Sequence, residues 1–394
     1  MSLEEKIFKH SNGCSLENLS VGSLLYLISF PKDYNCELEL NDKDLKELGK
    51  LVVKHQERDF QTVICFTSQL LKSKYNIKLP EMFGKDYIKI NNQKGLKKVL
   101  ANEIKNVSKL NLSEKAIKNI LEAKNNKNCI EKVFEMYFID VKQIKKYNDN
   151  NNIKYNDKIN QLKNIRIRKK SLESLVYKFL IRLRKIVEPT EYEIKEIDQY
   201  NSGLITKEQL KNDFQRVINI SISFCHNDFY ESLYRGDFKN IMNTLYKEGS
   251  FISRVQDIFL IDAAGSTISG SKNEIKNLKN YIWANYYNKN IQYNVLPSRS
   301  KDYFKKDKKD RSIVFGIKGN FCSSYCEIRL VPDIIDIKGI FGNEYSHDRY
   351  KLIVNGEFRK FYENSEVLQK AAERLCTALD LDIDDVLNYS IKCN

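Results

Sequence analysis

Between Asp262 and the helix-forming run near residue 272, the chain places Gly265, Ser266, Thr267, Ser269, Gly270 and Ser271 within "DIFLIDAAGSTISGSKNEIKNL", residues 257 to 278. Small and hydroxyl residues at a helix start leave backbone N–H groups and side-chain donors facing outward, which suits an anion. Asp262, Ser266, Thr267, Ser269 and Ser271 are therefore expected as a ligand loop between a strand "IFLID" and a helix. Two specific nucleotide patterns fail. A Walker loop needs Lys where Ser271 stands, and the stretch holds no G-x-G-x-x-G. Ser271 and Glu274 also make an S-x-x-E capping box, with Ile275, Leu278, Ile282 and Tyr286 following at helical spacing. Capping explains Gly270 and Ser271 but leaves Asp262, an acid closing an apolar run, unexplained.

Cations are concentrated in two further stretches. "RIRKKSLESLVYKFLIRLRKIVEP" reads as an amphipathic helix, with Leu172, Leu175, Val176, Phe179, Leu180, Leu183 and Ile186 on one stripe and Pro189 ending it. Arg166, Arg168, Lys169, Lys170, Arg182 and Lys185 cluster at its start and outer face, where they would contact a phosphate backbone. The loop "LPSRSKDYFKKDKKDRS", residues 296 to 312, joins Arg299, Lys301, Lys305, Lys306 and Arg311 to Tyr303 and Phe304. Cations beside aromatics is the composition of a single-strand contact. The net charge of +14 and pI near 9.1 favour a polyanionic partner, although Lys-rich codon usage gives the same sign.

Several short stretches resemble known sites. "YCEIRLVPDIIDIKG" is similar to the PD-(D/E)-x-K arrangement of metal-dependent nucleases. That resemblance implies Glu327 and Asp336 as Mg²⁺ ligands, Lys338 as the residue that orients or activates water, and all three as the catalytic set. "YFIDVKQ", with Asp140 and Lys142, competes for the same reading. "DAAGS" looks like the D-x-S-x-S metal loop of von Willebrand factor A domains, with Ala264 in place of the middle serine. "DQYNSGLITKEQL" is similar in shape to a calcium-binding EF-hand loop, but Tyr200 and Gln209 stand where carboxylates are needed. Thr206 and Gln209 also form a capping box, so a Gly-containing turn suffices there.

The elements that must position these residues divide the chain unevenly. Residues 1–145 read as a helical N-terminal domain, with Asn41 capping a helix that carries Leu45, Leu48, Leu51 and Val52, and Ser113 capping a second one. Residues 146–163 are polar and aperiodic, as expected of a linker or exposed loop. Residues 164–250 form a basic helical region. From 251 to 394, β-rich runs flanked by helices near 272–288 and 365–379 indicate a mixed α/β domain. The fold class is α+β: helical N-terminal and middle regions, then a helix-flanked sheet.

No apolar run reaches the roughly 18 to 20 residues of a membrane span, and the N-terminus lacks a signal-peptide core, so a cytoplasmic or nuclear protein without membrane contact is expected. Nine irregularly spaced cysteines argue against a secreted disulfide framework. The expected function is binding of nucleic acid, DNA or RNA, with Mg²⁺-dependent phosphodiester cleavage as its enzymatic extension. The competing classes are a non-catalytic adaptor contacting other protein subunits, and a phosphate or nucleotide sensor using the loop after Asp262.

Overall fold

The structure is a computed structural model that describes residues 1–10, 15–33, 38–77, 88–90, 135–187, 199, 201–206, 209, 261–289, 292–303, 312–319, 325–333 and 358–388. The chain is α+β and divides into two compact units, each discontinuous in sequence. One comprises Met1–His55, Leu172–Ile261 and Glu357–Leu387; the other comprises Gln56–Ser171, Asp262–Gly356 and Asn388–Asn394. Among the described residues no helix is long and apolar enough to cross a membrane.

The first unit is a helical assembly. Helix α1 spans Leu3–His10, and α2 spans Val21–Ser29 with every residue buried. Such a helix is apolar on all sides because it sits inside a core. Ser20 caps it, accepting from the Ser23 backbone N–H at 3.0 Å. The short strands β1 (Lys32–Asp33) and β2 (Leu38–Glu39) pair antiparallel before α3, Asp42–Tyr75. Asn41 caps α3 as the sequence suggests: its Oδ1 accepts from Asp44 N–H at 3.0 Å, while the Asp44 carboxylate accepts from Asn41 N–H at 3.1 Å. Helix α5, Leu172–Val187, buries Leu175, Val176, Phe179, Leu180 and Leu183. It packs against α7 (Glu366–Leu379) and α8 (Ile383–Leu387). The helix expected after Ser113 lies outside the described residues.

The second unit is built on a seven-stranded sheet. Its strands are β3 (Ile88–Ile90), β4 (Glu135–Asp140), β5 (Leu162–Lys169), β6 (Ala264–Gly270), β7 (Tyr293–Asp302), β8 (Ile313–Gly319) and β9 (Cys326–Pro332), in the order β3-β4-β5-β6-β9-β8-β7. Neighbours are antiparallel except β6 and β9, which run parallel. Ile165, Ile167, Ile268, Phe315, Ile317, Ile328 and Leu330 fill one face. They pack with Val63, Phe66 and Leu70 of α3 and with Ile275, Leu278 and Ile282 of α6, Lys272–Tyr286. Phe66 meets Tyr286 and Tyr293 edge-on, at centroid separations of 5.1 and 5.4 Å. Fully burying a side chain of this size contributes about 1.5–3 kcal/mol. Helix α4, Val141–Asn150, lies along β4 and β5.

Three expectations about local structure change here. Arg166, Arg168 and Lys169 do not open a helix; they belong to strand β5, and α5 starts only at Leu172. The polar run 146–163 carries the end of α4, a 3-10 turn at Asp157–Gln161 and the start of β5. Local hydrogen bonds satisfy its asparagines, as where buried Asn148 donates to Ile144 O at 2.8 Å and Asn156 accepts from Lys158 N–H at 3.0 Å. The supposed ligand loop is strand β6, between β5 and β9. Its small residues allow close backbone approach: a Cβ on Gly265 would lie 2.9 Å from Glu327 O, and one on Gly270 would lie 2.7 Å from Gln161 O.

Candidate functional site

Side chains alternate across a strand, so filling one face with isoleucines sends their neighbours to the other. In β5, Ile165 and Ile167 are buried in the core, which leaves Asn164, Arg166 and Arg168 on the opposite face. Pairing carries this face across the sheet. Arg166 is in register with Thr267, Thr267 with Arg329, Arg329 with Val314, and Val314 with Lys301. Strands lie about 4.8 Å apart, so Arg329 stands about 10 Å from Arg166 on one side and from Lys301 on the other, at every second strand. The adjacent row reads Arg168, Gly265, Glu327 and Gly316. Arg168 and Lys301 are exposed, Thr267, Glu327 and Arg329 are half-buried, and Arg166 is buried. The result is a polar sheet face with cations in a line.

The structure separates the other expected residues. Lys169 pairs with Glu57 at 2.7 Å. Lys170 is ion-paired to the Asp262 carboxylate and donates to Asp262 O at 2.6 Å. Asp262, only 1% exposed, is thus a buried charge partner at the entry to β6. Ser266 points into the core between Ile167 and Ile328, and Ser269 on the polar face is also buried. Ser271 caps α6, accepting from Glu274 N–H at 3.2 Å and donating to Gln161 at 3.0 Å. With these residues in a strand and a cap, the ligand loop does not form.

Arg182 is half-buried on α5, in the first unit, whereas Arg166, Arg168, Lys169 and Lys170 belong to the second. Lys185 lies on the same helix, with its side chain outside the described residues. Arg299 lies on β7, also with its side chain outside them. Tyr303 follows β7, half-buried, its backbone N–H donating to Ser312 O at 3.0 Å. Phe304, Lys305, Lys306 and Arg311 lie outside the described residues, as do Asp336 and Lys338 of the expected metal centre. Glu327 is on β9. Among the described residues no three His, Cys, Asp or Glu side chains are grouped to hold a metal ion.

Arg329 completes the polar row without a sequence expectation of its own, and Thr267, expected in the ligand loop, joins the row from strand β6. The signal was present in "YCEIRLV", where Glu327 and Arg329 alternate with Cys326, Ile328 and Leu330. A second polar cluster lies between α3 and α6. There the Tyr75 hydroxyl donates to fully buried Glu274 at 2.7 Å, Asn277 donates to it at 3.2 Å, and the Lys74 ammonium stands 3.7 Å away. Burial, then the Glu274 hydrogen bond and charge, push the Tyr75 hydroxyl far above its ordinary range. Burial also lowers Lys74 against the pull of Glu274. Tyr75 and Glu274 are closed to solvent at its centre, and their hydrogen bond ties α6 to α3. No protein-family model, curated protein or solved structure matches this chain.

Proposed function

We propose that this chain binds nucleic acid across the polar face of the seven-stranded sheet, with Arg168, Arg329 and Lys301 meeting phosphates and buried Arg166 adding positive potential beneath them. One observation carries the reading: the in-register row Arg166, Thr267, Arg329, Val314, Lys301, which spaces cations regularly along one face. A phosphate backbone laid across the strands would find a cation at intervals of about 10 Å. The net charge of +14 supports the same partner.

Three phosphate contacts give a definite salt signature: log K falls against log salt with a slope of about −2 for a single strand and about −3 for duplex DNA. The test is fluorescence anisotropy of the purified chain with labelled single- and double-stranded DNA and RNA, titrated from low to physiological salt. A slope of that size supports the proposal; absence of binding at low salt overturns it. Running the same mixtures on a gel with and without Mg²⁺ tests the nuclease extension, since Glu327, one of its expected ligands, lies on this face. Shortened products only with Mg²⁺ would support cleavage, and intact products would remove it.

A further inference from the structure

Lysines gather where the end of α3, residues 151–163 and the start of α6 meet in the second unit. Hydrogen bonds tie the three stretches together. Asn156 N–H donates to Tyr75 O at 2.8 Å, and the Asn76 amide donates to the Lys154 carbonyl. Ser271, the cap of α6, donates from its backbone N–H to Gln161 O at 2.7 Å and from its hydroxyl to the Gln161 side chain at 3.0 Å. Lys72, Lys154, Lys158, Lys163, Lys272 and Lys276 are exposed here, and none forms an ion pair among the described residues. The acids of these stretches are exposed Asp157 and buried Glu274. Helix stability does not account for the lysines. Asn76, at φ 55°, ends α3, and the N–H groups of Asn76 and Ile77 already donate to Lys72 O and Leu71 O at 3.0 and 3.4 Å. Lys272 sits in the first turn of α6, the positive end of its dipole, where a cation is unfavourable.

We propose that this surface is a second phosphate-contact patch, which holds the nucleic acid away from the sheet face and independently of base sequence. The inference rests on the nucleic-acid reading above. Charge complementarity selects a polyanion. None of the exposed large hydrophobic side chains among the described residues lies here, so the surface lacks the apolar side of a membrane-binding helix and the apolar centre of a protein interface. Tyr155 and Tyr281 are half-buried against the core, which leaves cations and asparagine amides to meet a strand. Such contacts position a backbone without reading bases. Lys163 stands at the start of β5 and Arg168 near its end, about 16 Å along the strand. A nucleic acid long enough to reach both surfaces gains affinity from each.

The experiment measures binding of a single strand of about 30 nucleotides, longer than one surface covers, over a range of salt. The proteins are the wild type, the patch variant Lys154→Gln/Lys158→Gln/Lys272→Gln and the sheet-face variant Arg168→Ala/Lys301→Ala, with thermal melting as a folding check. Losing three phosphate contacts should make the slope of log K against log salt shallower by about 2 in the patch variant, whatever the base composition of the strand. Acetylation of the wild type with and without the strand, read by mass spectrometry, keeps the test valid if the variant folds poorly: Lys154, Lys158 and Lys272 should be protected. An unchanged slope in the folded patch variant, or unchanged acetylation of these lysines, overturns the patch. If the sheet-face variant alone loses slope, the patch fails and the sheet reading stands; if the patch variant alone does, the patch stands and the sheet reading fails. Polyglutamate that displaces the strand as well as unlabelled strand of equal charge also overturns the nucleic-acid assignment of the patch. Absence of salt-sensitive binding in the wild type removes both proposals.

Discussion

The Lys170 ammonium and the Asp262 carboxylate form a buried ion pair, their side chains 10% and 2% exposed. Lys170 follows β5 and Asp262 precedes β6, so the pair closes the end of two adjacent strands, and the Gln56 amide donates to the Lys170 carbonyl beside it. Removing one member of such a pair strands the other charge away from water. Asp262→Ala should destabilise the protein by about 3–5 kcal/mol, and adding Lys170→Met should restore part of the loss. Urea denaturation of the single and double variants measures both. A near-neutral single variant would show that the pair is open to solvent.

Tyr75 and Glu274 give stability a dependence on alkaline pH. The Tyr75 hydroxyl is held well above its ordinary pKa by burial and by its hydrogen bond to Glu274, so folding favours the neutral phenol. A raised folded pKa contributes stability that is complete below the unfolded value of about 10 and is lost as pH rises above it. Burial likewise pushes Tyr293 up, to about 12, adding to the same trend. Tyr75→Phe should cost about 1–3 kcal/mol near neutrality, because Glu274 loses a donor inside the core. It should also flatten the decline above pH 10. Denaturation midpoints at neutral and alkaline pH separate the two effects, and an unchanged alkaline slope would mean Tyr75 titrates normally.

What the sequence revealed and what it hid have separate physical causes. Asn41, Thr206 and Ser271 were legible as caps because capping depends on residues three positions apart; Thr206 and Gln209 exchange hydrogen bonds of 2.8 and 3.1 Å as expected. The helix from Leu172 was legible because its apolar stripe repeats with the helical period. Strand β6 was hidden because "AGSTISG" has the composition of a loop. Its small residues are instead set by close approach to Glu327 O and Gln161 O, a tertiary constraint between distant parts of the chain. "NIRIR" alternates with a period of two, but its cations run on without a break into those of the basic helix that follows. The capping box at Ser271 is only half made: Glu274 turns inward to Tyr75, which local spacing cannot reveal.

Gly49 tests the packing of the helical unit. A Cβ there would lie 2.2 Å from the Ala378 carbonyl oxygen, backbone that cannot rotate away. Alanine normally favours a helix by about 1 kcal/mol over glycine, so propensity alone predicts stabilisation. The clash should win, and Gly49→Ala should destabilise by about 1–3 kcal/mol through forced separation of α3 and α7. A gain in thermal stability would show that these helices have room to spare.

The row of cations makes a prediction that distinguishes a binding surface from a merely solvated one. Arg168 and Lys301 are both exposed, on strands β5 and β7 of one face. Surface substitutions of this kind usually change stability by less than about 0.5 kcal/mol, so lost binding would not reflect unfolding. Each phosphate contact removed should reduce the salt slope by about 1, weakening binding across sequences instead of changing base preference. Arg168→Ala and Lys301→Ala should each reduce the slope, and the double variant should reduce it by about twice as much. Measuring wild type, both single variants and the double variant on one single-stranded oligonucleotide over a range of salt resolves the two contributions. Equal slopes in wild type and both variants would place the phosphate contacts elsewhere on the chain.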